Sequence, residues 1–556
     1  MYVRRALLLT LALSLTATLV PERARAGGFD LIPIGTRPLG RGGAYNARAD
    51  DGMALFYNPA MLADIPDFVT LQIGAGLAVW DACATRTGTY GSTFDELSQP
   101  TVFGRDLPGW AGTAYPRVCN SGDPQIIPSI TATFRLSPEF TIGVGIWTPG
   151  GVGQARFGNA DGSVTATNGE RAPSPTRYAV LERNLLLFAP SVGFGWRPIE
   201  WLRVGFTFQW GIASVDFTNY TSTGLSGINE DPSNDIRTRL SVFDPFVPAG
   251  ILSVHVVPHR NLDIMIGGRI SDSVGGAVDA SGDLTLTTGA FGDGVSDGSD
   301  GYPASSVPTV STIQGTTLNA GNPWTFSFGI RYADRIRARN WEHGALGETV
   351  TVVDDPMLGE NFDIELDVNY LHLSQVGDFV IANPTGATGM LQRVGGMATN
   401  VPIPATLPLP HGWSDAIQIR VGGDVNIIPG TFALRAGVSY EQPLNYDFVR
   451  YAQNDFMQGW NVGLFLGATL RIDRFDISAA YGHVFAETIN VSEAAANYRG
   501  ISAVANEGGC GSPTYDGANP VVGSGCYPAG FGGVVNAGSY TQELNVVSLA
   551  LAYHFD

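Results

Sequence analysis

The chain has 556 residues and a formal net charge of −19, set by 51 acidic against 32 basic side chains, and every basic residue is arginine. An acidic balance of this size argues against nucleic acid as a partner, since phosphate affinity comes from clustered cations, and the lack of lysine rules out Schiff-base and Walker-type chemistry. Charged residues are 15% and hydrophobic ones 44%, a composition between that of an acidic soluble protein and that of a helical membrane protein, where a barrel apolar on one face only would fall.

Residues 1–26 read as an export signal: Arg4 and Arg5, an apolar run from Ala6 to Val20, and small residues at Ala24 and Ala26 before Gly27. The mature chain is read as exported. Beyond it no run of about 18 or more apolar residues occurs, so no helical membrane span is expected. Residues 27–66 are rich in Gly and Pro and show neither strand alternation nor a long amphipathic helix, which predicts a compact irregular segment that needs walls around it.

From Phe68 onward the period is two. Val69, Leu71, Ile73, Ala75, Leu77 and Val79 alternate with Thr70, Gln72, Gly74, Gly76 and Ala78, and similar alternation recurs along the chain. Candidate strands lie at 68–80, 126–136, 140–149, 184–197, 201–215, 246–257, 262–274, 323–334, 362–374, 413–427, 431–442, 459–471, 475–486 and 541–555. Their even number suits an antiparallel barrel. Tight turns, such as those at Pro138 and Asp473, alternate with long connections, as turns on one side of a membrane and loops on the other would. The long connection from Arg335 to Asn361 falls on the short-turn side and breaks this rule. Tryptophans 80, 196, 201, 210, 324, 413 and 460 lie near strand ends, where an interfacial aromatic girdle would sit.

Cys83 with Cys119 and Cys510 with Cys526 form two local pairs in polar stretches. Disulfides tying down external loops are the economical reading in an exported chain, and the alternative four-Cys metal site lacks any C-x-x-C pair. The histidines are scattered, with only His255 and His259 close in sequence, so no metal or other cofactor is expected. The acidic run 293–301 lacks EF-hand spacing and reads as a solvated loop. No G-x-S-x-G or H-E-x-x-H motif points to an enzyme.

The motifs of the irregular segment carry a family resemblance. G-R-G-G-A at Gly40 to Ala44, A-D-D at Ala49 to Asp51 and Y-N-P-A at Tyr57 to Ala60 resemble the N-terminal hatch of the FadL family of outer-membrane transporters for long-chain fatty acids and other hydrophobic compounds. The resemblance implies an all-β fold, a 14-stranded antiparallel transmembrane β-barrel (67–556) plugged by an N-terminal hatch (27–66). It also implies a bacterial outer-membrane location and passive uptake of a hydrophobic small-molecule ligand, with gate residues Gly40, Gly42, Gly43, Asp50, Asp51, Asn58, Pro59 and Ala60. Ligand would be captured among loops near 216–245 and 275–322 and would leave sideways at the third strand, where Gly143, Gly145, Pro149 and Gly150 suit a break in a sheet. The expected partners are outer-membrane lipids and barrel-assembly machinery, and the expected state is a monomer. A general porin or an adhesin-like barrel is the competing class. For Asn58 and Pro59 the plain alternative to a gate is a helix cap, Asn as N-cap and Pro as first helical residue.

Parity adds a prediction of its own. Arg135, Arg203, Arg331, Arg435 and Arg471 fall on inward faces at the short-turn end, with Arg269 and Arg420 higher, which predicts an arginine collar around the lower lumen. Asp50 and Asp51 of the hatch and the inward acids Asp363, Glu365 and Asp367 are its candidate partners, because an unpaired buried cation is costly.

Overall fold

The computed structural model describes residues 32–91, 108–148, 153–221, 235–288, 309–336, 355–391, 399–409, 411–444, 454, 456, 459–496, 515–516, 519–520 and 535–555. Alternation in sequence becomes alternation in exposure, with the apolar face outward. In β1 (Val69–Arg86) Leu71, Ile73, Leu77 and Val79 are exposed while Thr70, Gln72, Ala78 and Trp80 are buried. An inverted pattern of this kind has its stable surroundings in hydrocarbon, and a sheet in hydrocarbon must close on itself to leave no unpaired edge.

The wall does close. After β1 come β2 (Gln125–Ser137), β3 (Phe140–Trp147), β4 (Glu182–Ile199), β5 (Leu202–Thr221), β6 (Ile236–His259) and β7 (Leu262–Ser271). They are followed by β8 (Trp324–Arg335), β9 (Glu360–His372), β10 (Ala416–Ile428), β11 (Phe432–Glu441), β12 (Asn461–Ile472), β13 (Phe475–Ala486) and β14 (Gly538–Phe555). Each pairs antiparallel with its successor, and β14 returns to β1 in register from Val69 opposite Phe555 to Arg86 opposite Gly538.

All fourteen expected strands are present, and the differences lie at their ends. β6 starts ten residues earlier than expected. Its segment Ile236–Phe243 pairs with β5 on one side and with the hairpin Ala280–Thr288 and Thr309–Asn319 on the other, so part of the expected loops is sheet. Arg237, Arg239 and Ser241 alternate there with Thr238, Leu240 and Val242, and a strand standing clear of lipid needs no apolar outer face, so its contrast is weak. β3 is shorter than expected and stops at Trp147.

The long connection before β9 ends in a short helix, Pro356–Gly359, capped by Asp355, which accepts from the Met357 N–H. This helix tucks under the short-turn rim: Asp355 pairs with Arg471 at 2.5 Å and Gly430 N–H donates to the Met357 carbonyl.

Inside the ring lies the N-terminal segment, with α1 (Thr36–Gly40), α2 (Ala54–Tyr57) and a 3-10 turn at Pro59–Asp64. Almost every residue of it is buried. Two wall glycines make the fit possible: a Cβ on Gly205 would lie 2.2 Å from Ala60 N, and one on Gly437 would lie 2.0 Å from the Arg41 carbonyl.

Candidate functional site

The plug docks on the wall at two places. The first is the loop 41–48 against β9, β10 and β11. Gly42 and Gly43 have φ of 66° and 79°, a reversal that favours glycine and turns Arg41 toward the wall. On β9, Asp363, Glu365 and Asp367 sit two residues apart and so share the inward face. Arg41 meets the first two, and Asp424 of β10, with its whole guanidinium: Nη1 to Asp363 at 2.9 Å and to Asp424 at 2.6 Å, Nη2 to Asp363 at 3.0 Å and to Glu365 at 2.9 Å, and Nε to the Ala44 carbonyl at 2.8 Å. Every guanidinium N–H is thereby satisfied, which is what burial of a cation demands.

The same acids also take backbone donors from the plug. Asp367 accepts from the N–H groups of Tyr45 and Asn46 at 2.8 and 2.9 Å, and Glu365 accepts from Ala47 N–H at 2.6 Å. Arg48 reaches Asp50 at 3.0 Å, Asp363 at 3.1 Å and Asp424 at 3.4 Å. Burial would push the Asp50 carboxyl up, but the Arg48 and Arg37 guanidiniums and the Tyr45 hydroxyl hold it well below the usual carboxylate range. Its neighbour Asp51 goes the other way: burial raises it, Arg37 opposes, and the charge of Asp50 adds to the rise.

The second docking place is the N-P-A turn against β4, β5 and β6. Asn58 occupies the N-cap position and Pro59 opens the turn, as the cap reading expects, but the Asn58 side chain makes no capping hydrogen bond. Its Nδ2 instead donates to the Asn46 carbonyl at 2.7 Å and lies 3.2 Å from Nδ1 of His255. Ala60 N–H donates to Ser253 Oγ at 2.9 Å. At the end of the turn Asp64 pairs with Arg203 at 2.9 Å and with Arg197 at 3.1 Å.

The collar arginines therefore have partners, though not all the expected ones. Arg331 pairs with Asp363 at 2.5 Å, with Asp263 at 3.1 Å and with Glu360. Arg435 meets Asp424 at 3.1 Å, and Arg471 meets Asp476 at 2.6 Å. Arg135 donates to the carbonyls of Pro66 and Pro138 at the rim. The hatch acids are bound elsewhere: Asp50 pairs with Arg37 and Arg48 inside the plug, and Asp51 accepts from Gln72 and from Met53 N–H. Pairs of the expected sense occur at Arg331 with Asp363 and at Arg203 with Asp64 of the plug, and beside them the plug brings cations of its own, Arg41 and Arg48, to the wall acids Asp363 and Asp424. Arg41, Arg48, Asp424, Asp64 and His255 had not been singled out for this role. The signal was an arginine within G-R-G-G and another within A-R-A-D, in a segment otherwise dominated by small and apolar residues.

At the third strand Gly143 and Gly145 lie on β3, opposite Thr133 and Thr131 of β2. A Cβ on Gly143 would meet Leu55 of the plug at 3.1 Å, and Trp147, fully buried, packs edge-on against Phe56 at 6.1 Å. Beyond Trp147, opposite Ala189, the described pairing to β4 continues with Leu185 N–H donating to the Gly153 carbonyl at 2.9 Å and with Gln154–Arg156 opposite Glu182–Asn184. Pro149 and Gly150 lie outside the described residues. Cys83 and Cys119 are joined by a disulfide that ties the strand Arg117–Cys119 to β1; Cys510, Cys526 and the acidic run 293–301 lie outside the described residues.

A cavity flanks the plug on each side. Toward the long loops a cavity of about 50 Å³ is lined by Phe56, Tyr57, Ile251, Met265, Arg269 and Arg420 among others. Toward the turn rim one of about 170 Å³ is lined by Arg37, Asp51, Gln72, Asp355, Asp476 and His554 among others.

Among solved structures, a Pseudomonas aeruginosa FadL homologue superposes with a TM-score of 0.61 at 13% identity, covering 95% of this chain and 100% of that one. The chain has the FadL fold. The toluene transporter TodX of P. putida follows at TM-score 0.58 and 12% identity over 95% and 99% of the two chains, and the monoaromatic hydrocarbon channel CymD at 0.54 and 14% over 95% and 99%. No family model and no curated protein matches the chain by sequence.

Proposed function

We propose that this FadL-like barrel is a passive, non-enzymatic channel in the bacterial outer membrane for hydrophobic small molecules, with the plug as its gate. The observation that supports the reading is the position of the plug, which fills the ring beside a cavity that joins apolar walls to two arginines and packs Leu55 and Phe56 against Gly143 and Trp147 of the third strand. Hydrophobic molecules partition poorly through a sugar-coated leaflet, so a lined route meets a physical need. The ligand would enter among the long loops, pass the upper cavity, which must widen from about 50 Å³ as the plug moves, and leave sideways between β2 and β4. The N-P-A turn and the two glycines of the Arg41 loop would hold the gate shut.

The cavity also suggests how acids and neutral hydrocarbons would be told apart. In the upper cavity a carboxylate would compete with Gln209 for Arg269 and with Gln418 for Arg420, and a neutral aromatic would use Phe56, Ile251 and Met265. The barrel would act as a monomer, inserted by barrel-assembly machinery and surrounded by outer-membrane lipid. Proteoliposomes offered a long-chain fatty acid, toluene or a hydrophilic sugar from outside test the reading: entry of the first two and exclusion of the sugar is the expected result. Sugar flux would favour a general porin, whereas binding without transport would favour an adhesin-like barrel.

A further inference from the structure

His255, buried on the inward face of β6, stands between the plug and the wall acids. Its Nδ1 faces Asn58 Nδ2 at 3.2 Å and its Nε2 faces Asp263 Oδ1 at 3.4 Å. The Asn58 amide nitrogen is fixed as nitrogen by the Asn46 carbonyl 2.7 Å away, since an oxygen there would oppose another oxygen. A primary amide nitrogen only donates. The imidazole Nδ1 must therefore accept, which leaves the hydrogen on Nε2, directed at Asp263. Both ring nitrogens are committed, one to the plug and one to the wall.

The line continues past Asp263. Its second oxygen accepts from Arg331 at 3.1 Å, Arg331 Nε donates to Asp363 at 2.5 Å, and Asp363 holds Arg41. The register makes this possible: Asp263 stands opposite Arg331, Arg331 stands opposite Glu365, and Asp363 lies two residues along the same face. Asn58, His255, Asp263, Arg331, Asp363 and Arg41 are all buried. They form one chain along the inside of β6, β7, β8 and β9, and its two ends are the two docking places of a single plug.

We propose that His255 is a positioning residue that couples the two docking places through this belt, so that the N-P-A turn and the Arg41 loop leave the wall together. A plug with independent anchors would rattle open at one end. A coupled plug is two-state, and disturbance at one anchor is felt at the other. The inference rests on the proposed reading of the plug as a moving gate, and its test reads undocking and not transport.

Amide hydrogen exchange of the full-length barrel in detergent reports the anchors directly, because Tyr45, Asn46 and Ala47 donate their N–H groups to β9 and Ala60 donates to β6. His255→Asn retains an acceptor near Nδ1 and loses the reach to Asp263; His255→Gln retains a donor toward Asp263 and loses Asn58. Either change breaks the belt. Both variants are expected to speed exchange about tenfold at residues 44–48 as well as at 58–64, although the side chain touches only the latter. Combining His255→Asn with Asp263→Asn should add little to the larger single effect. Acceleration confined to 58–64, or additive effects of the pair, would overturn the coupling. A wild-type plug whose amides never exchange while the barrel stays folded would overturn the moving gate, and the coupled release with it. Heat-modifiable migration on gels shows that each variant retains a folded wall, and either histidine variant alone suffices if the other fails to fold.

Discussion

Arg41 of the plug and Asp363 of β9 form a bidentate ion pair, at 2.9 and 3.0 Å, with both side chains fully buried. Planar guanidinium and planar carboxylate meet fork to fork, and Asp424 and Glu365 take the remaining Nη hydrogens. Removing one partner of such a pair leaves the other charged and dry, at a cost of about 3–5 kcal/mol. Arg41→Ala should therefore weaken plug docking by that order without unfolding the wall. Protease nicking near residues 41–48, with normal heat-modifiable migration, is the expected result; Arg41→Lys should rescue only in part, because a point charge cannot serve three carboxylates.

Replacing Asn58 and Pro59 together by alanine should leave barrel assembly intact and alter uptake. Asn58 links Asn46 to His255, so its loss frees both the turn and the Arg41 loop. Uptake assays of a fatty acid and of toluene in whole cells read the effect; unchanged rates for both would count against a gating role.

Acidification from neutral pH toward the ordinary carboxylate range should tighten the plug. Asp51, raised by burial, takes up a proton in this range more readily when docked than when free, so docking gains as pH falls and loses as pH rises through the raised value. Asp50, held low, stays ionised throughout, and its contribution is lost only when pH falls through its lowered value, below the usual carboxylate range. Hydrogen exchange at 45–57, corrected for intrinsic rates, should show protection rising as pH falls from neutral through the raised Asp51 value, and Asp51→Asn should flatten the rise.

Reducing Cys83–Cys119 should loosen only the loop rim. The bond ties Arg117–Cys119 to the top of β1, beyond the part of β1 that pairs with β2. Cys83→Ser with Cys119→Ser should cost the whole barrel little while making the stretch before Arg117 protease-sensitive. Collapse of the heat-modifiable form would show that the bridge supports the wall itself.

The outward residues Leu71, Ile73, Leu77 and Val79, repeated in kind around the ring, should keep the protein insoluble without detergent or lipid. A monodisperse mature chain in plain buffer would contradict the barrel.

The wall was legible because lipid outside and plug or water inside impose a strict period of two, as in β1 and β9. Where lipid ends the contrast fades, which is why Ile236–Phe243 reads as loop in the sequence. The plug was legible as a unit from G-R-G-G-A, A-D-D and Y-N-P-A. Its contacts were not, because parity can place Arg331 or Asp363 on an inward face but cannot say which chain comes to meet it. Asp50 is adjacent in sequence to the segment that docks on β9, yet it turns back to Arg37 and Arg48. His255 stands out in sequence only for its nearness to His259, which says nothing of Asn58 or Asp263.

The central claim, that the plug gates a route for hydrophobic molecules, is tested most directly by locking it. Ala60 N lies 2.9 Å from Ser253 Oγ, so Ala60→Cys with Ser253→Cys should form a disulfide between the N-P-A turn and β6. Uptake of radiolabelled fatty acid and toluene is then measured in oxidised and in reduced proteoliposomes. The account predicts that oxidation abolishes uptake of at least one of these and that reduction restores it; undiminished uptake of both through the locked plug would contradict it.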